Sequence, residues 1–172
     1  MTKKMMKEAL LELLERQPSE KITVTDVCRE ADVNRSTFYA YYEDIDGLFR
    51  EIEDDILAQL PPPSELSVAG NYPKFLTDLT AFFDYVRRNE RLFRIMIVQR
   101  DDNEFNRKMV ETVIERYHLS RELPSKLQDR YAFLYCINGS VGVAKEWIAS
   151  GFPISPREIA YLLCRMSAKA IA

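Results

Sequence analysis

Three helix-start signals crowd into one stretch near the amino terminus, and they limit how this chain can fold more than any other feature. Thr23 stands three residues before Asp26, Asn34 precedes Arg35, and Asp44 precedes Ile45. Side chains of these types accept hydrogen bonds from the free N–H groups of a first helical turn. Thr with an acid three places on resembles a capping box, with Asp in place of the usual Glu or Gln. Helices that must restart so soon are short, and short helices need tertiary packing to be stable. Val24, Val27, Cys28 and Ala31 share one face of the second helix. Asp32-Val33 make the turn, and Phe38 is the inward anchor of a third helix over roughly Arg35 to Tyr41. Before them, Met6, Leu10, Leu13 and Leu14 mark a helix from about Lys3 to Arg16, ended by Gln17-Pro18-Ser19. After them, Leu48, Ile52 and Ile56 share a face of helix four.

Two short helices joined by a tight turn, with a polar outer face on the second, form the helix-turn-helix pattern. In that pattern the second helix enters the major groove and the first crosses the DNA backbone. Ser36 and Ala40 point most directly away from Phe38, with Thr37 and Tyr39 on the flanks. Arg35 suits a phosphate or a guanine edge, Ser36 and Thr37 phosphates or bases, and Ala40 a thymine methyl. Tyr39 and Tyr41 offer hydroxyls to phosphates. Thr23, Thr25 and Asn34 complete the DNA-facing set at the helix starts, where backbone N–H groups favour an anion. Structural roles compete at several of these positions. Phe38 and Tyr42 read as core, Thr23 as a cap, and Lys3, Lys4 and Lys7 as either a solvated face or phosphate contacts.

The run from Ile22 to Leu48 resembles the DNA-binding signature of the TetR/AcrR family of transcriptional regulators. The matching elements are Thr23, the Asp26-Val27 pair, Ala31 then Val33 across the turn, and Thr37-Phe38-Tyr39 in the recognition helix. Tyr42 takes the family's aromatic position and Leu48 its apolar position in helix four. The resemblance implies a homodimer on a palindromic operator in double-stranded DNA, acting as a repressor released by a small-molecule effector. Three differences stand out. Asp32 occupies a turn position where the family often has Gly, and Asp tolerates left-handed backbone better than most residues. Ile45 stands where the family often has a Lys that meets a phosphate. Ala40 and Tyr41 replace a common large side chain or His near the end of helix three.

Helical spacing continues through the rest of the chain without strand alternation, so the fold class is all-α. The expected division is an N-terminal three-helix helix-turn-helix domain over residues 1–48 and a helical dimerisation and effector domain over 49–172. Pro61-Pro62-Pro63 ends helix four and opens a linker to about Asn71. Helices are expected over Tyr72 to Arg88, from Asn89 through Val98, from Asp101-Asp102, and from Pro124-Ser125 to about Ser150. Ser155-Pro156 starts the last one. Cys136, Gly139, Val143 and Trp147 lie on one helix at spacings of three and four, and the small residues there permit close helix approach. Ile159, Leu162, Leu163 and Met166 give the last helix an apolar face. Two such helices from each subunit would make a four-helix interface. Gly139 to Trp147, Gly151, and Ser155 to Leu163 look like the C-terminal domain of a TetR subgroup that includes dihydroxyacetone-kinase regulators. Phe75, Leu79, Phe82, Met96, Met109 and Tyr135 are candidates to line a pocket for a small apolar or amphipathic effector, and equally what a helical core requires.

Composition narrows the remaining classes. The chain has 172 residues, 47% of them hydrophobic and only 5 Gly, which favours a helical globule. No apolar run approaches the roughly 20 residues of a membrane span, and the amphipathic amino terminus is not a signal peptide. The expected location is the cytoplasm. Cys28, Cys136 and Cys164 are widely spaced and read as buried free thiols, not a disulfide or zinc site. His118 has no nucleophile or carboxylate partner by spacing, and no metal-ligand cluster or phosphate loop is present. No cofactor, metal or enzymatic activity is expected. Net charge is −3, and residues 1–50 hold eight Lys and Arg against ten Asp and Glu. Attraction to DNA must therefore rest on placed contacts more than on bulk charge. The same balance motivates a rival reading, a TetR-like co-regulator that works through protein–protein contacts with weak or no DNA binding.

Overall fold

Thr23, Asn34 and Asp44 each start a helix with a side-chain cap. The structure, a computed structural model, describes residues 1–62, 72–99, 103–116 and 127–171. Expected features at Pro63 to Asn71, Asp101-Asp102, His118 and Pro124-Ser125 lie outside the described residues. All regular structure among the described residues is helical. Helix α1 spans Thr2–Arg16, α2 Val24–Glu30, α3 Arg35–Tyr39 and α4 Ile45–Ala58. Thr23 and Asp26 form the reciprocal capping box at α2, Asn34 accepts from the Thr37 N–H, and Asp44 accepts from the Gly47 N–H. Helix α3 stops at Tyr39, two residues short of the expected end.

Met1–Gln59 form one compact unit. Helix α1 packs on α2 and α4, and α2 packs on α3. Met6 and Leu10 of α1, Val27 of α2, Phe38 of α3 and Leu48 of α4 are buried between them. A buried side chain such as Phe38 contributes about 2–3 kcal/mol over an exposed one, and for a helix of five residues that anchor outweighs any intrinsic propensity.

Leu60–Val98 and the helices after Asp102 form the second unit. It comprises α5 (Tyr72–Arg88), α6 (Glu90–Phe93), α7 (Asn103–Arg116), α8 (Leu127–Ala149) and α9 (Pro156–Ile171). Helix α9 packs against both α5 and α8, and α7 against α8. Asn89, expected as a cap, makes no side-chain cap bond. Its Nδ2 donates instead to the Tyr85 carbonyl at 2.9 Å, closing α5. The single helix expected through Val98 divides into α6 and a π-helical turn, Arg94–Gln99. Ile95, Met96 and Ile97 are all buried there. A run with no polar side to turn outward leaves packing, not periodicity, to set the winding.

Two helix ends close with the same pair of backbone bonds, the Schellman arrangement. After α2, the Val33 N–H donates to the Cys28 carbonyl and the Asp32 N–H to Arg29. After α8, the Phe152 N–H donates to Trp147 and the Gly151 N–H to Ile148. The residue in left-handed conformation is Asp32 (φ 51°) in the first and Gly151 (φ 77°) in the second, where Phe152 (φ 60°) follows in the same region. Ser155 and Glu158 then cap α9 reciprocally, with the Glu158 N–H donating to Ser155 Oγ and the Ser155 N–H to the Glu158 carboxylate.

Candidate nucleic-acid interface

Helix α3 is built from one buried residue and an exposed remainder. Phe38 is 0% exposed, and Arg35, Ser36, Tyr39 and Ala40 face outward, with Tyr41 just beyond. Thr37 is half-buried, and Thr23, Thr25 and Asn34 are exposed beside them. Every residue named from sequence as DNA-facing is therefore exposed, except the half-buried Thr37. Tyr42 is buried as core.

Asn34 does more than cap the backbone. Its Oδ1 accepts from the Thr37 N–H, the Thr37 hydroxyl and the Ser36 hydroxyl, each at 2.7 Å. With both hydroxyl protons turned inward, Ser36 and Thr37 offer outward lone pairs, which suit an amino group on a base edge better than a phosphate oxygen. Thr23 is similarly committed, its hydroxyl donating to Asp26 at 2.6 Å. That hydrogen bond and the Thr23 N–H hold the Asp26 carboxyl below its ordinary range.

Ion pairing decides which cations remain available. Lys3 and Lys7, candidates for phosphate contact, both reach Glu51 of α4 at 2.7 Å, and Lys7 also pairs with Asp55. Burial alone would lower the Lys7 ammonium, but Asp55 and Glu51 outweigh it and raise it. The two lysines pull the Glu51 carboxyl down to about 2. The Tyr42 hydroxyl is buried beside Glu51 without the geometry of a made hydrogen bond. Burial first, and that carboxylate second, keep its proton on well above the usual range. Arg16 pairs with Glu12 and Glu30, and Arg29 with Asp26. Among the described residues of this unit, Lys4, Lys21 and Arg35 make no ion pair. Arg35 instead reaches the hydroxyl end of Tyr39, with Nη2 3.4 Å from the hydroxyl oxygen.

Ile45, which stands where the resembled family often has a Lys, is half-buried at the start of α4. Arg50 turns back toward that start, placing Nη2 4.0 Å from the Asp44 carboxylate. Nothing in the local pattern marks Arg50 for that position, because the reach back along the helix depends on its rotamer.

In the second unit the expected dimerisation residues divide by exposure. Trp147 is 3% exposed, stacked edge-on against Phe83 at 5.3 Å and Phe152 at 4.6 Å, and its Nε1 donates to the Ile154 carbonyl. Ile159 and Leu163 are likewise buried within the chain. Gly139 and Met166 are exposed, and Cys136, Val143 and Leu162 are half-buried. Of the pocket candidates, Phe82, Met96 and Met109 are buried, Phe75 and Leu79 half-buried, and Tyr135 is 69% exposed. Cys28 and Cys164 are buried, and burial pushes the Cys164 thiol up to about 11, whereas Cys136 is half-buried. Among the described residues no cluster of His, Cys, Asp and Glu could hold a metal ion, and no helix is long and apolar enough to cross a membrane.

Residues 8–52 match the family model for bacterial regulatory proteins of the tetR family, and residues 75–169 match a transcriptional regulator C-terminal region. No curated protein matches the sequence. Similar solved structures include a TetR transcriptional regulator from Streptococcus agalactiae, at 20% identity and TM-score 0.76, covering 96% of this chain and 93% of that one. The dihydroxyacetone kinase operon activator DhaS aligns at 19% identity and TM-score 0.65, covering 99% and 96%. A TetR-family regulator from Syntrophomonas wolfei aligns at 14% identity and TM-score 0.69, covering 99% and 95%. At these identities the structures share the fold.

Proposed function

The chain belongs to the TetR family of DNA-binding transcriptional regulators, and on that premise we propose that it binds a palindromic operator as a homodimer through α3. The observation that carries this reading is the build of α3. Five residues are capped by Asn34, fixed by Phe38, and show Arg35, Ser36, Tyr39 and Ala40 to solvent. Arg35 supplies guanidinium donors to a base edge, Ala40 a methyl for thymine, and Tyr39 and Tyr41 hydroxyls for phosphates. Thr23, Thr25 and Asn34 border the phosphates, and Lys4 and Lys21 add positive charge. One short helix reads few base pairs, so a two-fold pair of such helices about one DNA turn apart makes a specific site.

Dimerisation is proposed through α8 and α9. No charged residue occurs from Tyr131 to Ala144, yet Tyr131, Leu134, Tyr135, Asn138, Gly139 and Gly142 are exposed at spacings of three and four. An uncharged exposed stripe of this length suits a partner helix, and Gly139 and Gly142 have open space above them. Tyr161, Leu162 and Met166 extend it on α9, with Cys136 and Val143 at its margin. Trp147, Ile159 and Leu163 support it from the interior. The dimer acts in the cytoplasm as a repressor, released by a small apolar or amphipathic effector among Phe75, Leu79, Phe82, Met96 and Met109. The activity is regulatory, as throughout the family, and not enzymatic.

A gel-shift against the DNA upstream of the protein's own gene tests the reading. The expected result is a shift at low salt that weakens steeply as salt rises. Absence of any shift at low salt, with the dimer intact, would favour the co-regulator reading, which the pairing of Lys3 and Lys7 with Glu51 supports.

A further inference from the structure

Arg35 differs from the other arginines of its unit in what holds it. Arg16, Arg29 and Arg50 each sit beside a carboxylate. Arg35 reaches the hydroxyl end of a tyrosine four residues along its own helix. Its Nη2 donates to the Tyr39 hydroxyl in a long bond of 3.4 Å, and its guanidinium carbon is 5.9 Å from the ring centroid. The ring is itself anchored, edge-on to Phe38 at 5.7 Å and 87°. Phe38 is 0% exposed, so the tyrosine that holds Arg35 is fixed to the core of the unit although Tyr39 is half in solvent.

We propose that Tyr39 is a positioning residue that holds Arg35 for bidentate recognition of a guanine in the major groove. This rests on the DNA-binding reading above. A free arginine side chain loses much rotamer freedom when it docks. One already held at the hydroxyl end of an anchored tyrosine loses less, and a neutral hydroxyl holds the cation without neutralising it. The contact with the hydroxyl uses one of five guanidinium donors. Two others suffice for the O6 and N7 acceptors of guanine, the commonest specific pairing of arginine. The Tyr39 oxygen accepts from Arg35, so its own proton stays free to donate to a phosphate. A single tyrosine thereby links the base contact to the backbone register.

The test compares full-length wild type with Tyr39→Phe, Tyr39→Ala, Arg35→Ala and the double variant carrying both alanines. Each selects from a pool of randomised duplex DNA. Binding to the enriched duplex, and to that duplex with single G·C pairs changed to A·T, is then measured by anisotropy. Wild type is expected to prefer guanine at one position per half-site by about tenfold or more. Arg35→Ala abolishes that preference, Tyr39→Ala removes most of it, Tyr39→Phe removes part, and the double variant loses no more than Arg35→Ala alone. A merely structural Tyr39 would change melting but leave the base preference intact. If Tyr39→Ala fails to fold, Tyr39→Phe, which keeps the ring, decides the matter. Full guanine preference in the folded Tyr39 variants overturns the positioning role and leaves the regulator reading standing. Enrichment of no sequence by wild type overturns both.

Discussion

The turns after α2 and after α8 are closed by the same two backbone bonds, but different forces hold them. At the first, Asp32 adopts the left-handed conformation in an exposed position, and the neighbouring capping side chains of Thr23 and Asn34 set the helices on either side. At the second, Gly151 and Phe152 are both left-handed, and the Phe152 ring is pressed 4.6 Å from Trp147. A bulky residue in that region is strained unless its surroundings hold it. Local hydrogen bonding sets the ends of α2 and α3 around the first turn, whereas aromatic packing of Phe152 on Trp147, and of Trp147 on Phe83, holds the second. A surface that must meet DNA can thus be changed residue by residue, whereas the α8–α9 turn is tied to the core of its unit.

The largest expected effect breaks the second turn. Trp147→Ala removes the stack on Phe83 and Phe152 and the bond to Ile154, and should cost about 3–5 kcal/mol in denaturant unfolding. A loss under about 1 kcal/mol would mean that local bonds suffice there too. Gly151→Ala comes next. Its added methyl would meet only the Arg94 side chain, at 3.9 Å, so the expected cost of about 1–2 kcal/mol is conformational. An unchanged melting temperature would show that the turn relaxes freely.

Much of the first unit was legible because caps are short-range chemistry. Thr23, Asn34 and Asp44 act within three residues of themselves, as Ser155 does at α9. The contacts that govern charge were not legible. Lys3 and Lys7 meet a carboxylate from the far end of the unit, and no spacing rule connects them to Glu51. The inward turn of Trp147 was hidden for another reason. Helix α8 is uncharged on all sides through its middle, so periodicity cannot tell an intrachain face from an intersubunit one. The same lack of a polar side concealed the π-helical turn at Arg94–Gln99.

Acid titration sharpens the comparison from the charge side. Glu51 lies near 2, below its ordinary 4.5. Its stabilising effect is therefore complete above about 4.5 and is lost as pH falls toward 2. Partial exposure screens these pairs, so Glu51→Gln should cost only about 1 kcal/mol at neutral pH. The gap between variant and wild type should close as the solution is acidified. A gap independent of pH would remove the lysine pairs from the account. The smallest effect belongs to the first turn. Asp32→Gly relieves a left-handed Asp but frees the unfolded chain, for a net gain of about 0.5 kcal/mol at most. A clear loss of stability would show that the Asp32 side chain holds the turn in a way its backbone does not reveal.

On the proposed reading, α3 meets DNA through Arg35, a side chain placed for it and left unpaired by carboxylates. Anisotropy of wild type and Arg35→Ala on the same upstream DNA fragment, at one low salt concentration, tests it most directly. At least about tenfold weaker binding by the variant is expected, with an unchanged melting temperature because Arg35 is exposed. Equal affinity of the two folded proteins would contradict it.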